Sequence, residues 1–363
     1  MNNNYKFDVV ILGAGVVGLA IAEKLAPSFE NILIIEKEKK FGQHVSSRNS
    51  EVVHSGIYHP INSLKSQLCI KGNNLLYKFF DKYDVPYSNC GKLIVASNEH
   101  EEYDLDKLFS EGLDKKISGL KFIDSNEASD IEPNVKCTKA IWVPTSGIMD
   151  SHKFMQRLEY NFISNNGMIV YDTSADDIAI NNSKFNIKTN HQDNLETKIL
   201  INATGLWSDS VSSMLGINNL KIHYCKGEYY KTNKYRDINC LIYPLPSKVS
   251  LGLHTVVQLN GDVLFGPNAY YVDKIDYHID DSNKIDFVNN IKKYIDIESN
   301  DIRSDFCGIR PKLQGPNMSF EDFYIKNEES YGMKNFINLV GIDSPGLTSS
   351  LAIAEYVEDL ICE

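Results

Sequence analysis

Phe7-Asp8-Val9-Val10-Ile11-Leu12 runs directly into Gly13-Ala14-Gly15-Val16-Val17-Gly18, and this junction decides the fold. An apolar run followed at once by G-x-G-x-x-G reads as a buried strand, a tight turn and the start of a helix. The first glycine permits the turn. The second lets a pyrophosphate approach the backbone, and the third lets the helix pack close to the strand. Phosphates would rest on amides at the positive end of the helix. The next apolar run, Asn31 to Glu36, ends in an acid 23 residues after Gly13. That carboxylate can accept the hydroxyls of an adenosine ribose. Strand, helix and acid in this order predict a dinucleotide-binding βαβ unit; the alternative is a glycine-rich turn in an ordinary one. The loop leaves open whether the dinucleotide is FAD or NAD.

Around this unit the chain has 363 residues, 42% of them hydrophobic, enough for a large core and two domains. No apolar stretch approaches the ~18 residues of a membrane span. Met1 to Lys6 carries no signal-like apolar region, so a cytoplasmic protein is expected, with room for peripheral contact at the inner membrane face. A net charge of −11 argues against nucleic acid as a partner, because a phosphate backbone needs a positive surface. A small anionic substrate remains compatible, since a pocket can be locally basic. The seven cysteines are scattered and form no C-x-x-C, which suits reduced thiols in a reducing compartment. No His/Cys cluster has metal-site spacing, and no metal is expected.

Further along, Ser63 is placed to cap a helix running to about Tyr83, and Asp150-Ser151 to start another, ended by Gly167. Lys92 to Ala96, Met168 to Tyr171, Lys198 to Ala203 and Phe336 to Val340 read as strands. Tyr224 to Phe265 is strand-rich, with Asn260-Gly261-Asp262 as a hairpin turn. Leu347 to Ile361 reads as a final helix. Nucleotide-binding elements thus fall at the start, near the middle and at the end. The nucleotide-binding domain is therefore expected to be discontinuous, with a largely antiparallel domain inserted into it.

Four groups of residues resemble the FAD-dependent amine and hydroxy-acid oxidoreductases of the D-amino-acid oxidase superfamily, most of all the L-2-hydroxyglutarate dehydrogenases. They are Gly13 to Gly18 with Glu36; Arg48 to Tyr58 with Ser63-Leu64-Lys65, Leu68-Cys69 and Cys90 to Val95; Asn202 to Asp209; and a later set. The later set comprises Lys226 to Tyr230, Tyr243-Pro244, Gly252 to Thr255, Gly266 to Ala269, Gly308 to Pro311 and Ser344 to Ser350. The resemblance spans nearly the whole chain. Arg48 and Glu51 depart from it, standing where small or neutral residues are expected.

The resemblance implies an α/β fold: a Rossmann-like FAD-binding domain with an inserted, mainly antiparallel β-sheet substrate domain. The expected segments are 1–85, 145–215 and 330–363 for the first, and 86–144 and 216–329 for the second. Expected FAD contacts are Gly13, Gly15, Val16, Val17, Gly18, Glu36, Lys37, Ser47, Asn49, Ser50, Ala203, Thr204, Gly205, Trp207, Gly346, Leu347 and Thr348. The free amides of a helix starting near Gly346 would stabilise negative charge on a reduced flavin.

The implied reaction is oxidation of a small L-2-hydroxy acid, best L-2-hydroxyglutarate to 2-oxoglutarate, by hydride transfer from C2 to flavin N5. Arg310 suits the substrate carboxylate, because its planar fork makes two parallel hydrogen bonds. His54 suits the base that removes the hydroxyl proton, with His254 as its rival. Tyr58, Lys226, Tyr243 and Arg48 are candidates for a second anchor. Glu228 could orient a base or pair with Lys226. Electrons would pass to a membrane quinone or another carrier. Three readings stand beside this one: an amine or amino-acid oxidase of the glycine or D-amino-acid oxidase type, a non-catalytic flavin-binding assembly factor, and an NAD-dependent dehydrogenase.

Overall fold

The computed structural model describes residues 4–246 and 252–362. Residues 1–3, at the N-terminal stretch read for signals, and 247–251, within the strand-rich stretch from Tyr224 to Phe265, lie outside the described residues. The chain divides into two compact units, neither contiguous in sequence: residues 1–47, 151–224 and 310–363 form the first, and 48–150 with 225–309 the second.

The first unit is built on an eight-stranded sheet. Strand β1 (Asn4–Leu12) leads through the glycine loop into helix α1 (Val16–Leu25) and on to strand β2 (Ile32–Ile35). β1 pairs in parallel with β2 on one side and with Asn194–Asn202 on the other, and β2 pairs in parallel with Met168–Val170. A parallel strand covered on both faces reads as a continuous apolar run; accordingly Val9, Val10 and Ile11 are wholly buried. The second edge of Asn194–Asn202 is shared. Its first half pairs antiparallel with Lys184–Thr189, and its end pairs in parallel with Phe336–Val340. Helix α1 packs against helices Ser151–Ser164 and Gly346–Cys362.

The second unit carries a nine-stranded sheet that is mainly antiparallel, plus a three-stranded one. Strand Lys92–Ala96 lies inside the larger sheet, antiparallel to Lys139–Val143 and parallel to Leu241–Pro244. The hairpin expected at Asn260-Gly261-Asp262 joins Thr255–Val257 to Val263–Phe265, with Gly261 at φ 82°. Helix Leu64–Tyr83 begins at Ser63, whose side chain accepts the Ser66 amide.

The unit boundaries differ from the expected segments. Residues 48–85 and 145–150 belong to the second unit. The reason is local: Val52–Val53 and Tyr87–Ser88 both pair with Gly147–Met149, and Asn73 Nδ2 donates to the carbonyls of His54 and Thr145. Residues 216–224 and 310–329 belong instead to the first unit. There Ile217 joins the core of Leu200 and Phe336, and Tyr324–Asn327 pairs with Phe336–Val340. Among the described residues no helix is long and apolar enough to cross a membrane.

Candidate active site

The first unit gathers most of the residues expected at a dinucleotide. Gly13 has φ 101°, a conformation L side chains rarely adopt, and its amide donates to Ile35 O at 2.8 Å. A Cβ there would lie 2.7 Å from the Ala203 carbonyl oxygen, and one at Gly18 would lie 2.0 Å from the Gly13 carbonyl oxygen. The three backbones are therefore in contact, which only glycine allows. Gly15 is the N-cap of α1 and offers no side-chain cap, and the first turn holds no acid. Its dipole end thus stays unneutralised by the helix's own residues. Val16 N donates to Ser46 Oγ at 3.0 Å.

Glu36 is buried at the end of β2. It accepts the Ala14 amide at 2.7 Å through one oxygen and the Glu38 amide at 2.9 Å through the other. A carboxylate has about four acceptor positions, so two remain for ribose hydroxyls. Lys37 Nζ stands 3.0 Å over the Trp207 ring, and burial pulls its pKa down against the raising charge of Glu38 and Glu36. Ser47 Oγ donates to the Gly42 carbonyl.

Ala203 continues the sheet by donating to Leu12 O at 3.0 Å. Thr204 Oγ1 donates to Asn202 Oδ1 at 2.7 Å, and Gly205 turns the chain at φ 57°. At the other end of the chain, Gly346, Leu347 and Thr348 form the first turn of helix Gly346–Cys362. The next two residues, Ser349 and Ser350, have buried hydroxyls with no hydrogen-bond partner among the described residues. Buried hydroxyls are normally satisfied, so this helix start is built to meet a polar group.

The second unit holds a different cluster. His254 is buried and stacks on Tyr243, ring centres 3.8 Å apart. Its Nδ1 lies 3.0 Å from the Gly252 carbonyl, which selects the tautomer with the lone pair on Nε2. The Tyr58 and Tyr243 rings stack at 6.2 Å. Lys92 Nζ lies 4.1 Å from the centre of the Tyr243 ring and 5.3 Å from that of Tyr58. Lys92 is 0% exposed, and its ammonium has no hydrogen-bond partner among the described residues. Burying an ammonium costs several kcal/mol, and cation–π contacts return about 2 kcal/mol when desolvated. The arrangement is therefore unfavourable on its own.

His54 belongs to the same cluster. Burial, then the charges of Lys92, His59 and His254, hold its pKa well below 6.5. Its imidazole is thus held in the neutral form. Lys92 was missed as a site residue by sequence reasoning. In the sequence it is only a lysine at the head of the apolar run Leu93 to Ala96.

Other expected residues fall elsewhere. Lys226 Nζ, expected as a candidate second anchor, donates to the His278 carbonyl. Glu228 accepts from Tyr270 OH at 2.7 Å, Asn283 Nδ2 at 2.7 Å and Asn268 Nδ2 at 3.2 Å; among the described residues it pairs with neither Lys226 nor a histidine. Arg48 lies over the Tyr277 ring at 4.1 Å. Asn49 Oδ1 accepts the Glu51 amide, and both Asn49 and Ser50 belong to the second unit. Arg310 lies on strand Arg303–Lys312, in the part assigned to the first unit.

Residues 8–360 match the family model described as DAO, FAD dependent oxidoreductase. The chain is 36% identical to the mitochondrial L-2-hydroxyglutarate dehydrogenase of Arabidopsis thaliana over 97% of its own length and 83% of that protein. It is 30% identical to the glycerol 3-phosphate dehydrogenase of Caloramator mitchellensis over 98% and 74%. Among solved structures, the dithionite-reduced L-α-glycerophosphate oxidase of Mycoplasma pneumoniae, with FAD bound, superposes with a TM-score of 0.89 at 24% identity, covering 99% of this chain and 95% of that one. The glycine cradle, the Glu36 carboxylate and the unsatisfied Ser349 and Ser350 hydroxyls fit FAD, and the choice left open at the glycine loop falls to FAD rather than NAD. With its match running from the first strand to the last helix, the chain belongs to the FAD-dependent oxidoreductases of the DAO family.

Proposed function

We propose that this FAD-dependent oxidoreductase oxidises the secondary alcohol of a small L-2-hydroxy acid, L-2-hydroxyglutarate before others, to the 2-oxo acid. The observation that carries this reading is the histidine pair: His54 held deprotonated in a buried cluster with His254 and Lys92. An alcohol must lose its O–H proton as C2 is oxidised, and a neutral imidazole can take it. A neutral amine needs no such base, which sets this reading against the amine and amino-acid oxidases. The Arabidopsis relative bears the name of the same activity. FAD, when bound, supplies the hydride acceptor. In this reading His54 takes the hydroxyl proton, with His254 as its rival, and Arg310 is the proposed partner of a substrate carboxylate.

Anaerobic addition of L-2-hydroxyglutarate to the purified yellow protein should bleach the flavin. A flavin that stays oxidised removes the assignment, and peroxide with ammonia released from amino acids would transfer it to an oxidase. The Caloramator relative favours one second reading, sn-glycerol 3-phosphate, which carries the same secondary alcohol beside a different anion. Comparing kcat/KM for the two compounds ranks them. Arg310→Ala should lower kcat/KM by roughly 10- to 100-fold, the loss of a charge-assisted pair; unchanged kinetics would remove Arg310 from the site.

The free state of all seven cysteines suits a reducing compartment. We place the protein in the cytoplasm, handing electrons to a quinone at the inner membrane face. Reduction of a soluble quinone analogue, faster than reduction of oxygen, is the expected steady-state result.

A further inference from the structure

We propose that Lys92, with the hydroxyls of Tyr58 and Tyr243, forms an anion seat for the second acid group of a dianionic substrate. The inference rests on the hydroxy-acid reading and deepens it. Lys92 Nζ, Tyr58 OH and Tyr243 OH are all buried and have no hydrogen-bond partner among the described residues. An ammonium can only donate. Burial pushes both phenols well above 10, so they too keep their protons and can donate. Three unsatisfied donors in one stack of rings call for an acceptor with several lone pairs, such as a carboxylate or a phosphate. The cluster is not sealed: His54 and Tyr58 keep part of their surface exposed.

The charged and titratable neighbours are consistent with this. Lys92 faces Cys69 from helix Leu64–Tyr83, Cys90 from the turn before its own strand, Tyr58, Tyr243 from strand Leu241–Pro244, and His54. His59 and His254 act on the same His54 ring. Among the described residues no carboxylate forms an ion pair with Lys92. Burial lowers its pKa to about 7 against the raising effect of Cys69 and Cys90. Near neutral pH the free site is therefore partly uncharged, and an arriving anion draws a proton onto Lys92. In the hydroxy-acid reading Lys92 would hold the acid group distal to the alcohol, which favours dianions over monoanions.

The test uses the holoenzyme. Wild type should prefer L-2-hydroxyglutarate to L-2-hydroxypentanoate, which ends in a methyl group. Lys92→Met should cut that preference in kcat/KM by about 10- to 100-fold while the protein stays folded and yellow. Parallel binding series with glutarate and inorganic phosphate, in wild type and Lys92→Met, tell whether the seat takes a carboxylate or a phosphate. An unchanged preference in folded Lys92→Met overturns the proposal. Should Lys92→Met fail to fold, wild type alone suffices: the Kd of glutarate, read from its perturbation of the flavin spectrum, should rise toward tenfold per pH unit above about 7. A flat Kd overturns the seat. If neither hydroxy compound reduces wild type, the hydroxy-acid reading fails by itself. Glutarate and inorganic phosphate then test the seat, which stands if they perturb the wild-type flavin spectrum and not that of Lys92→Met, and falls otherwise.

Discussion

Replacing His54 with glutamine is expected to lower kcat for the hydroxy acid by roughly 10²- to 10⁴-fold, the usual contribution of a positioned base. Glutamine keeps much of the volume and hydrogen-bonding capacity of the imidazole but cannot take a proton. The folded pKa of His54 lies well below 6.5, lowered first by burial and then by the Lys92 charge. The sign of the pH effect follows. As pH falls through 6.5 an ordinary histidine becomes protonated and loses its activity as a base, whereas His54 stays neutral. The acid limb of kcat/KM should therefore sit clearly below 6.5. Stopped-flow flavin reduction across pH measures both quantities. A limb at 6.5 would mark a solvated imidazole, and a larger loss in His254→Gln than in His54→Gln would transfer the role to His254. His254 has the required tautomer already set by Gly252 O at 3.0 Å.

Gly18→Ala should do damage of a different kind, through the cofactor. The added Cβ would lie 2.0 Å from the Gly13 carbonyl oxygen, well inside van der Waals contact. No flexible side chain is available to yield, because the obstacle is backbone. Either α1 moves off the strand or Gly13 leaves the turn. Overpacking of this kind costs about 1–3 kcal/mol. If it falls on the bound geometry, FAD affinity drops by roughly 5- to 150-fold. The ratio of flavin to protein absorbance after purification, with a thermal melt, reads the effect. Full flavin occupancy with an unchanged melting temperature would show that the close approach is not needed.

The glycine loop was legible because its chemistry is local. A turn, a helix start and an acid 23 residues on are all set by neighbours in sequence, and the structure places Gly13, Gly18, Glu36 and Ala203 in one cradle. The strand Phe336 to Val340 and the helix after Ser63 were legible for the same reason. The unit boundary at 47/48 was not. It is set by pairing of Val52–Val53 with Gly147–Met149, a contact that no local pattern encodes. The helices Glu99–Asp114 and Ser125–Ile131 also went unread; in the first, only Leu105, Leu108 and Gly112 are buried, too few to impose a visible apolar period. Lys92 escaped for the opposite reason. It stands at the head of an apolar run, and only its burial without a hydrogen-bond partner marks it.

The pairing of β1 with Asn194–Asn202 has a consequence for synthesis of the chain. Asn4 lies opposite Asn194 and Leu12 opposite Asn202, and the same distant strand also borders Phe336–Val340. At ~5–20 residues per second the ribosome needs roughly 10 to 40 s to pass from the nucleotide loop to residue 202, and until then the central strand lacks its full partner on that side. Loop closure over such spans is slow, and long-range parallel pairing is slower still. The apolar run Val9 to Leu12 can pair early with Ile32–Ile35 on one side but must wait for Asn194–Asn202 on the other. Binding of FAD can contribute to stability only after that wait, so the yield of this protein in cells should depend on chaperone supply more than on flavin supply.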